Sequence, residues 1–218
     1  MIGVVAHDAG GAEVLSAYLV VHPINNVKYF LNGPSVKIFQ KQGLIDNEYV
    51  YEDFEYKDID CFIISMSWGN NSTFEVLKRS KFLGIKTLLI LDSWYDYSQR
   101  FGYPDAGWTS FLPSEIIVVD SIAESIVYKQ GLDQYCKIKK INNYHIEDLK
   151  NQYQDLNIDE SRCFEILFLL APIEEAKSSK LKEFEHINTT MIEILKDVAS
   201  VCNKNNITLR VRMHPSQN

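Results

Sequence analysis

The sequence predicts an α/β protein built on a doubly wound, Rossmann-like parallel sheet, and three observations carry that expectation. Short runs such as Ile2–Ala6 and Lys86–Leu91 are nearly all apolar, which suits strands buried on both faces. Each apolar run leads into a stretch with helical spacing, the alternation of a parallel sheet with crossover helices. Hydrophobic residues make up 46% of the chain and charged residues 23%, so a core is available and disorder is excluded.

Taken in order, Ile2–Ala6 is a strand by its β-branched content. Ala9–Val21 is a helix through the spacing of Ala12, Leu15 and Leu19, with Pro23 beyond its end. Val27–Leu31 is the second strand, closed by Asn32-Gly33-Pro34, and Ser35–Gln42 a short helix stopped near Gly43. Glu48–Tyr51 is expected as a short edge strand and Ile59–Ser65 as a buried one. Ser72–Leu83 is a helix that Asn71 or Ser72 can cap and Gly84 ends. Lys86–Leu91 and Glu115–Val119 are strands, Ser121–Gln130 is a helix before Gly131, and Lys137–Ile141 closes the series. These elements, residues 1–144, form the first expected domain. Residues 145–162 are polar and acid-rich and read as a connecting helix or linker. Residues 163–218 begin a second, incomplete α/β unit, with strands at Glu165–Leu170 and Ile207–Arg212 around an amphipathic helix at Asn188–Asn203.

The chain has 218 residues, and 22 basic against 29 acidic side chains leave a net charge of −7. That balance lacks the broad positive footprint of a nucleic-acid binder. No apolar run is long enough to cross a bilayer, and the first residues lack the basic start and apolar core of a secretory signal. A cytoplasmic location is expected. Cys61, Cys136, Cys163 and Cys202 are scattered without metal-ligand spacing, so they read as buried thiols. Neither a metal nor a cofactor is expected.

Four segments can carry chemistry. His7-Asp8-Ala9-Gly10-Gly11 joins the first strand to a helix N-terminus. Glycines there admit a ligand close to the backbone, and His7 or Asp8 can serve as general base, with His7 favoured by its near-neutral titration. The pair Gly10 and Gly11 does not have the dinucleotide-binding spacing. After the strand ending at Ser65, Ser67 and Trp68 can contact a hydroxylated ligand, while Asn71 or Ser72 can simply cap. After Leu91 comes a long aromatic connection in which Asp92, Ser93, Trp94 and Arg100 suit a sugar or nucleotide pocket. The same aromatics, with Tyr95, Tyr97, Phe101, Tyr103, Trp108 and Phe111, can instead pack as a cover over the sheet. His214, after Arg210-Val211-Arg212-Met213, can hold a phosphate.

Together, the glycine-bearing first loop, a linker, the run Ile166-Leu167-Phe168-Leu169-Leu170-Ala171-Pro172 and the segment Leu209–Pro215 resemble the GT-B glycosyltransferase superfamily. The likeness is closest to its bacterial surface-polysaccharide and glycerophosphotransferase type. The resemblance implies transfer of a sugar or sugar-like group from a nucleotide-sugar donor to a carbohydrate acceptor. It implies an acceptor-side first domain and a donor-binding second one. The donor-contacting segments of that family lie beyond a position equivalent to His214-Pro215. Either the chain is part of a longer enzyme, or a completing chain or second copy supplies them, and catalysis by this chain alone is not expected. A nucleotide-sugar 2-epimerase or hydrolase shares the architecture, and a non-catalytic sugar- or nucleotide-binding protein can use the same rim.

Overall fold

Parallel strands need crossovers, and the apolar runs of this chain meet that need in a six-stranded sheet. The computed structural model describes residues 1–50, 56–66, 71–94, 96–154, 165–169 and 190–212. The chain divides into two compact units, 1–155 and 156–218. In the first, β1 (Ile2–Ala6), α1 (Ala9–Val21), β2 (Val27–Leu31) and α2 (Pro34–Lys41) are followed by β3 (Cys61–Ser65), α3 (Asn71–Leu83) and β4 (Lys86–Leu91). The short α4 (Tyr97–Arg100), β5 (Glu115–Val118), α5 (Ser121–Lys129), β6 (Lys137–Lys140) and α6 (Tyr144–Tyr153) complete it. Every strand pair is parallel and the order is β2-β1-β3-β4-β5-β6. The chain thus moves outward to β2 and then reverses past β1, so the sheet is doubly wound.

Period-two alternation divides the buried residues between the two faces. Val4, Ile63, Ile90 and Ile117 pack on one side with α1 and α2 residues such as Leu15 and Phe39. Val5, Phe62, Leu89 and Ile116 pack on the other with Val76, Leu77, Phe101 and Val127 from α3 to α5. Because α3, α4 and α5 all follow strands on that second face, the first face above β4 and β5 is left to α1 and α6. This gap positions the site described below.

Three sequence expectations change. Residues 48–50 form no strand, and Tyr51 lies outside the described residues. The Tyr49 hydroxyl instead accepts from Leu31 N at 2.8 Å and lies 3.2 Å from the Tyr29 carbonyl, so one side chain serves the outer edge of β2. The strand expected from Ile59 starts at Cys61, because Asp58 turns the chain with a φ of 63°. The connecting segment expected from 145 begins as α6, which packs on α1 and belongs to the first unit through 155. It shows no fully buried residue, and its apolar Ile146 and Tyr153 stay exposed. Asn143 caps it, accepting from Ile146 N. His22 Nε2 meets the Tyr144 hydroxyl at 3.0 Å and His145 Nδ1 lies 3.6 Å from Glu13 Oε2, tying it to α1.

The second unit pairs β7 (Glu165–Leu169) with β8 (Thr208–Arg212) in parallel, joined through α7 (Met191–Lys204). A reciprocal Thr190–Glu193 capping box starts α7. Arg210 grips Glu165 through Nε and Nη2 at 2.7 and 3.0 Å. Residues of β8 are mostly exposed, whereas β1 is buried from Gly3 to Ala6. Amide hydrogen exchange should therefore be faster at Thr208–Arg212 than at Ile2–Ala6, and equal protection would contradict this. Among the described residues no helix is long and apolar enough to cross a membrane.

Candidate functional site

The carboxyl ends of parallel strands carry the loops that bind ligands in doubly wound sheets. Here those loops, with α1 and α6, line a cavity of 540 Å³. Gly10, Glu13 and Val14 line it from α1, Asp92 and Trp94 from the loop after β4, and Val119 and Asp120 from the loop after β5. Asn143, His145, Ile146, Glu147 and Lys150 close it from α6 and its cap.

Asp92 sits at its floor. Arg100, whose side chain is 4% exposed, reaches Asp92 Oδ1 with Nη1 at 3.4 Å and donates to Ser93 Oγ from Nη2 at 2.6 Å. Burial pushes the Asp92 carboxyl above its ordinary 3.8; Arg100 pulls it down, and the nearby Asp8 charge raises it further. A contact of 3.4 Å leaves burial ahead of the pair. A carboxyl raised on folding contributes its stability below its unfolded pKa and loses it as pH rises through its folded value. Wild-type stability relative to Asp92→Asn should therefore fall as pH climbs from about 4 to about 7. Urea unfolding of both proteins across that range checks the sign; a rising difference would mean that Arg100 dominates.

Gly10 and Gly11 have packing reasons to lack side chains. A Cβ on Gly10 would lie 2.5 Å from Asp92 Oδ2, and one on Gly11 would lie 2.8 Å from Ser65 Cβ. The glycines expected to admit a ligand thus admit the protein's own Asp92 and Ser65, while Gly10 also lines the cavity. Ser65 is buried on β3 and cannot swing aside, so Gly11→Ala should cost about 1–3 kcal/mol in thermal or urea unfolding. An unchanged stability would contradict that contact.

His7 and Asp8 form a pair, with Nδ1 and Oδ1 2.7 Å apart. Asp8 occupies the N-cap position of α1 but makes no side-chain cap bond. The far side of the His7 ring lies against Gly33, where a Cβ would come within 2.9 Å of Nε2. Neither residue lines the cavity. Asp8 nonetheless lies close enough to Asp92 to raise its pKa, so the two groups share one rim.

The aromatic connection divides between both readings of it. Tyr97 and Phe101 are fully buried in the core, and burial pushes the Tyr97 hydroxyl, which donates to the Ser93 carbonyl, up to about 12. Phe111 packs edge-on to Phe74 at 5.7 Å, and Trp108 sits between Tyr103 and Tyr135 at 5.8 and 6.3 Å. Those rings are a cover. Trp94 alone among the connection's described aromatics lines the cavity, 55% exposed, with Nε1 donating to Asp120 Oδ2 at 2.8 Å.

Of the sequence-derived site residues, the cavity brings together Gly10, Asp92 and Trp94. Ser93 and Arg100 stand behind Asp92 as its support. Ser67, Trp68 and His214 lie outside the described residues, as do the side chains of Asn71 and Ser72. Glu13, Asp120 and the α6 wall carry no signal of the site in the sequence. Asp120 stands directly before α5 and reads as an ordinary helix cap, which it also is, accepting from Ala123 N at 2.7 Å. Burial also raises the Cys61 and Cys136 thiols, the latter to about 11, which makes them poor nucleophiles. Among the described residues no three His, Cys, Asp or Glu side chains cluster as metal ligands would. Compared with known proteins, the chain matches no family model, no curated protein and no solved structure.

Proposed function

We propose that the first unit binds a carbohydrate acceptor at this rim, as the acceptor-side domain of a GT-B-like glycosyltransferase acting in bacterial polysaccharide synthesis. One observation carries the reading: an exposed indole face and several carboxylates meet in a single cavity of 540 Å³. Aromatic faces cover the apolar side of a sugar ring, and carboxylates accept its hydroxyl hydrogens. The charge favours an acceptor over a donor. Glu13, Asp92, Asp120 and Glu147 face Lys150 and His145, an environment that repels a diphosphate and tolerates a neutral sugar. The nucleotide-sugar donor then falls to the donor-contacting segments that the family resemblance places after the second α/β unit.

Sugar transfer needs a group to take the acceptor hydroxyl's proton as the bond to the leaving phosphate breaks. A positioned base contributes on the order of a hundredfold or more in rate. His7 stays the proposed base, with Asp8 orienting its Nδ1, and Asp92 is the alternate because it lines the cavity and carries a raised pKa. A second reading, a sugar-binding protein without catalysis, is favoured by the position of His7 and Asp8 outside the cavity lining. Calorimetric titration with neutral disaccharides and with a nucleotide sugar tests the binding. Disaccharide heat that disappears in Asp92→Leu is expected, and binding of the nucleotide sugar alone would overturn the acceptor assignment. In a form active for transfer, His7→Ala should abolish turnover with acceptor affinity intact.

A further inference from the structure

We infer that Asp120 is a positioning residue whose carboxylate fixes the Trp94 indole over the cavity, so that helix α5 sets the angle of the sugar-stacking face. The inference rests on the carbohydrate reading and adds a specificity element to it. Both oxygens of Asp120 are committed. Oδ1 accepts from Ala123 N at 2.7 Å, the N-cap bond of α5, and Oδ2 accepts from Trp94 Nε1 at 2.8 Å.

The carboxylate therefore spans two elements of different stiffness. Asp120 follows directly after Val119, which with Val118 at the end of β5 is buried. Trp94 lies in the long connection after β4, is 55% exposed, and its indole N–H has this carboxylate as acceptor. An indole in a loop samples several rotamers, and ordering one on binding costs affinity. A charge-assisted bond to a group already locked by a helix cap removes part of that cost before the ligand arrives. The cavity then prefers rings that present a flat apolar face at the angle of the held indole.

Serine at this position separates the two duties. It is a good N-cap, so Asp120→Ser keeps α5 capped, but it offers no second oxygen to the indole. Trp94→Phe removes the N–H and keeps an aromatic face. The test compares wild type, Asp120→Ser, Trp94→Phe and the double variant. It follows the indole N–H signals by heteronuclear NMR, with Trp94 assigned by its loss in Trp94→Phe, and measures affinity for maltose, cellobiose and chitobiose. In Asp120→Ser the Trp94 signal should move and exchange faster with solvent while the α5 amides stay protected. Affinity for the best disaccharide should drop roughly tenfold, the scale of one weakened anchor. The double variant should be no weaker than Trp94→Phe, because the tether acts only through the indole N–H.

An unmoved indole signal, or a freed indole with wild-type affinity, overturns the positioning role and leaves the carbohydrate reading standing. Loss of α5 protection in step with affinity also overturns it, since the residue would then be a cap alone. A wild-type protein that binds none of the three disaccharides sinks the carbohydrate reading and this inference together.

Discussion

Arg100→Met should lower the folding free energy by about 3 kcal/mol at neutral pH, within the roughly 3–5 kcal/mol seen when one member of a buried ion pair is removed. The guanidinium is almost wholly enclosed, at 4% exposure, and it serves both Asp92 and Ser93. Methionine keeps much of the stem but no donor, which leaves the Asp92 carboxylate and the Ser93 hydroxyl without that partner. Asp92 can escape by taking a proton, since burial already raises its pKa. The loss should therefore be smaller at about pH 4 than at about pH 7, as measured by urea unfolding. Adding Asp92→Leu should restore part of the stability, because two apolar residues can replace a buried pair at little cost. An equal loss at both pH values would mean that Arg100 acts through packing alone.

Trp94→Ala should weaken saccharide binding by tenfold to a hundredfold, about 1.4–2.8 kcal/mol, and leave the melting temperature nearly unchanged. Its side chain is more than half exposed, so little core is lost with it. Phe101→Ala, only seven positions along the same connection, should do the reverse. That ring is fully buried, and its removal opens a cavity worth about 3–5 kcal/mol. Calorimetric binding and thermal unfolding of the two variants separate the functional aromatic from the structural ones. Binding unaffected in Trp94→Ala would remove the indole from the site.

The strands were legible because parallel strands buried on both faces leave an unbroken apolar run. Ile2–Ala6, Val27–Leu31 and Lys86–Leu91 have the same limits in sequence and structure. The helix α1 was equally plain in its limits; Ala12, Leu15 and Leu19 are buried as their spacing requires, while Gly11, Val14, Ser16 and Ala17, off that stripe, are buried too. What the sequence hid was made by long-range polar contacts. Glu48–Tyr51 reads as an edge strand, yet the described residues 48–50 form none and the Tyr49 hydroxyl reaches the edge of β2 instead. Helix α6 has no buried residue and is held through His22–Tyr144 and Glu13–His145, partners more than a hundred positions apart.

The candidate site shows the same division. Asp92 and Trp94 could be found because they follow a recognisable strand, and strand ends are where such sheets bind. Glu13, Asp120 and the α6 residues could not, because each has a routine local reading as helix surface, cap or linker. Gly10 and Gly11 were noticed for a good physical reason, close approach of another group. The group that approaches is a side chain of the protein.

The proposed site, the cavity lined by α1 and α6, accepts a neutral saccharide. That binding is tested most directly by titrating isotope-labelled protein with chitobiose, maltose and cellobiose, and separately with a uridine diphosphate sugar. Saccharide-dependent shifts are expected at the Trp94 indole and at the amides of Gly10, Glu13 and Asn143, with no shift there from the nucleotide sugar. Shifts at these positions from the nucleotide sugar alone, or saccharide shifts confined to the opposite face of the sheet, would contradict it.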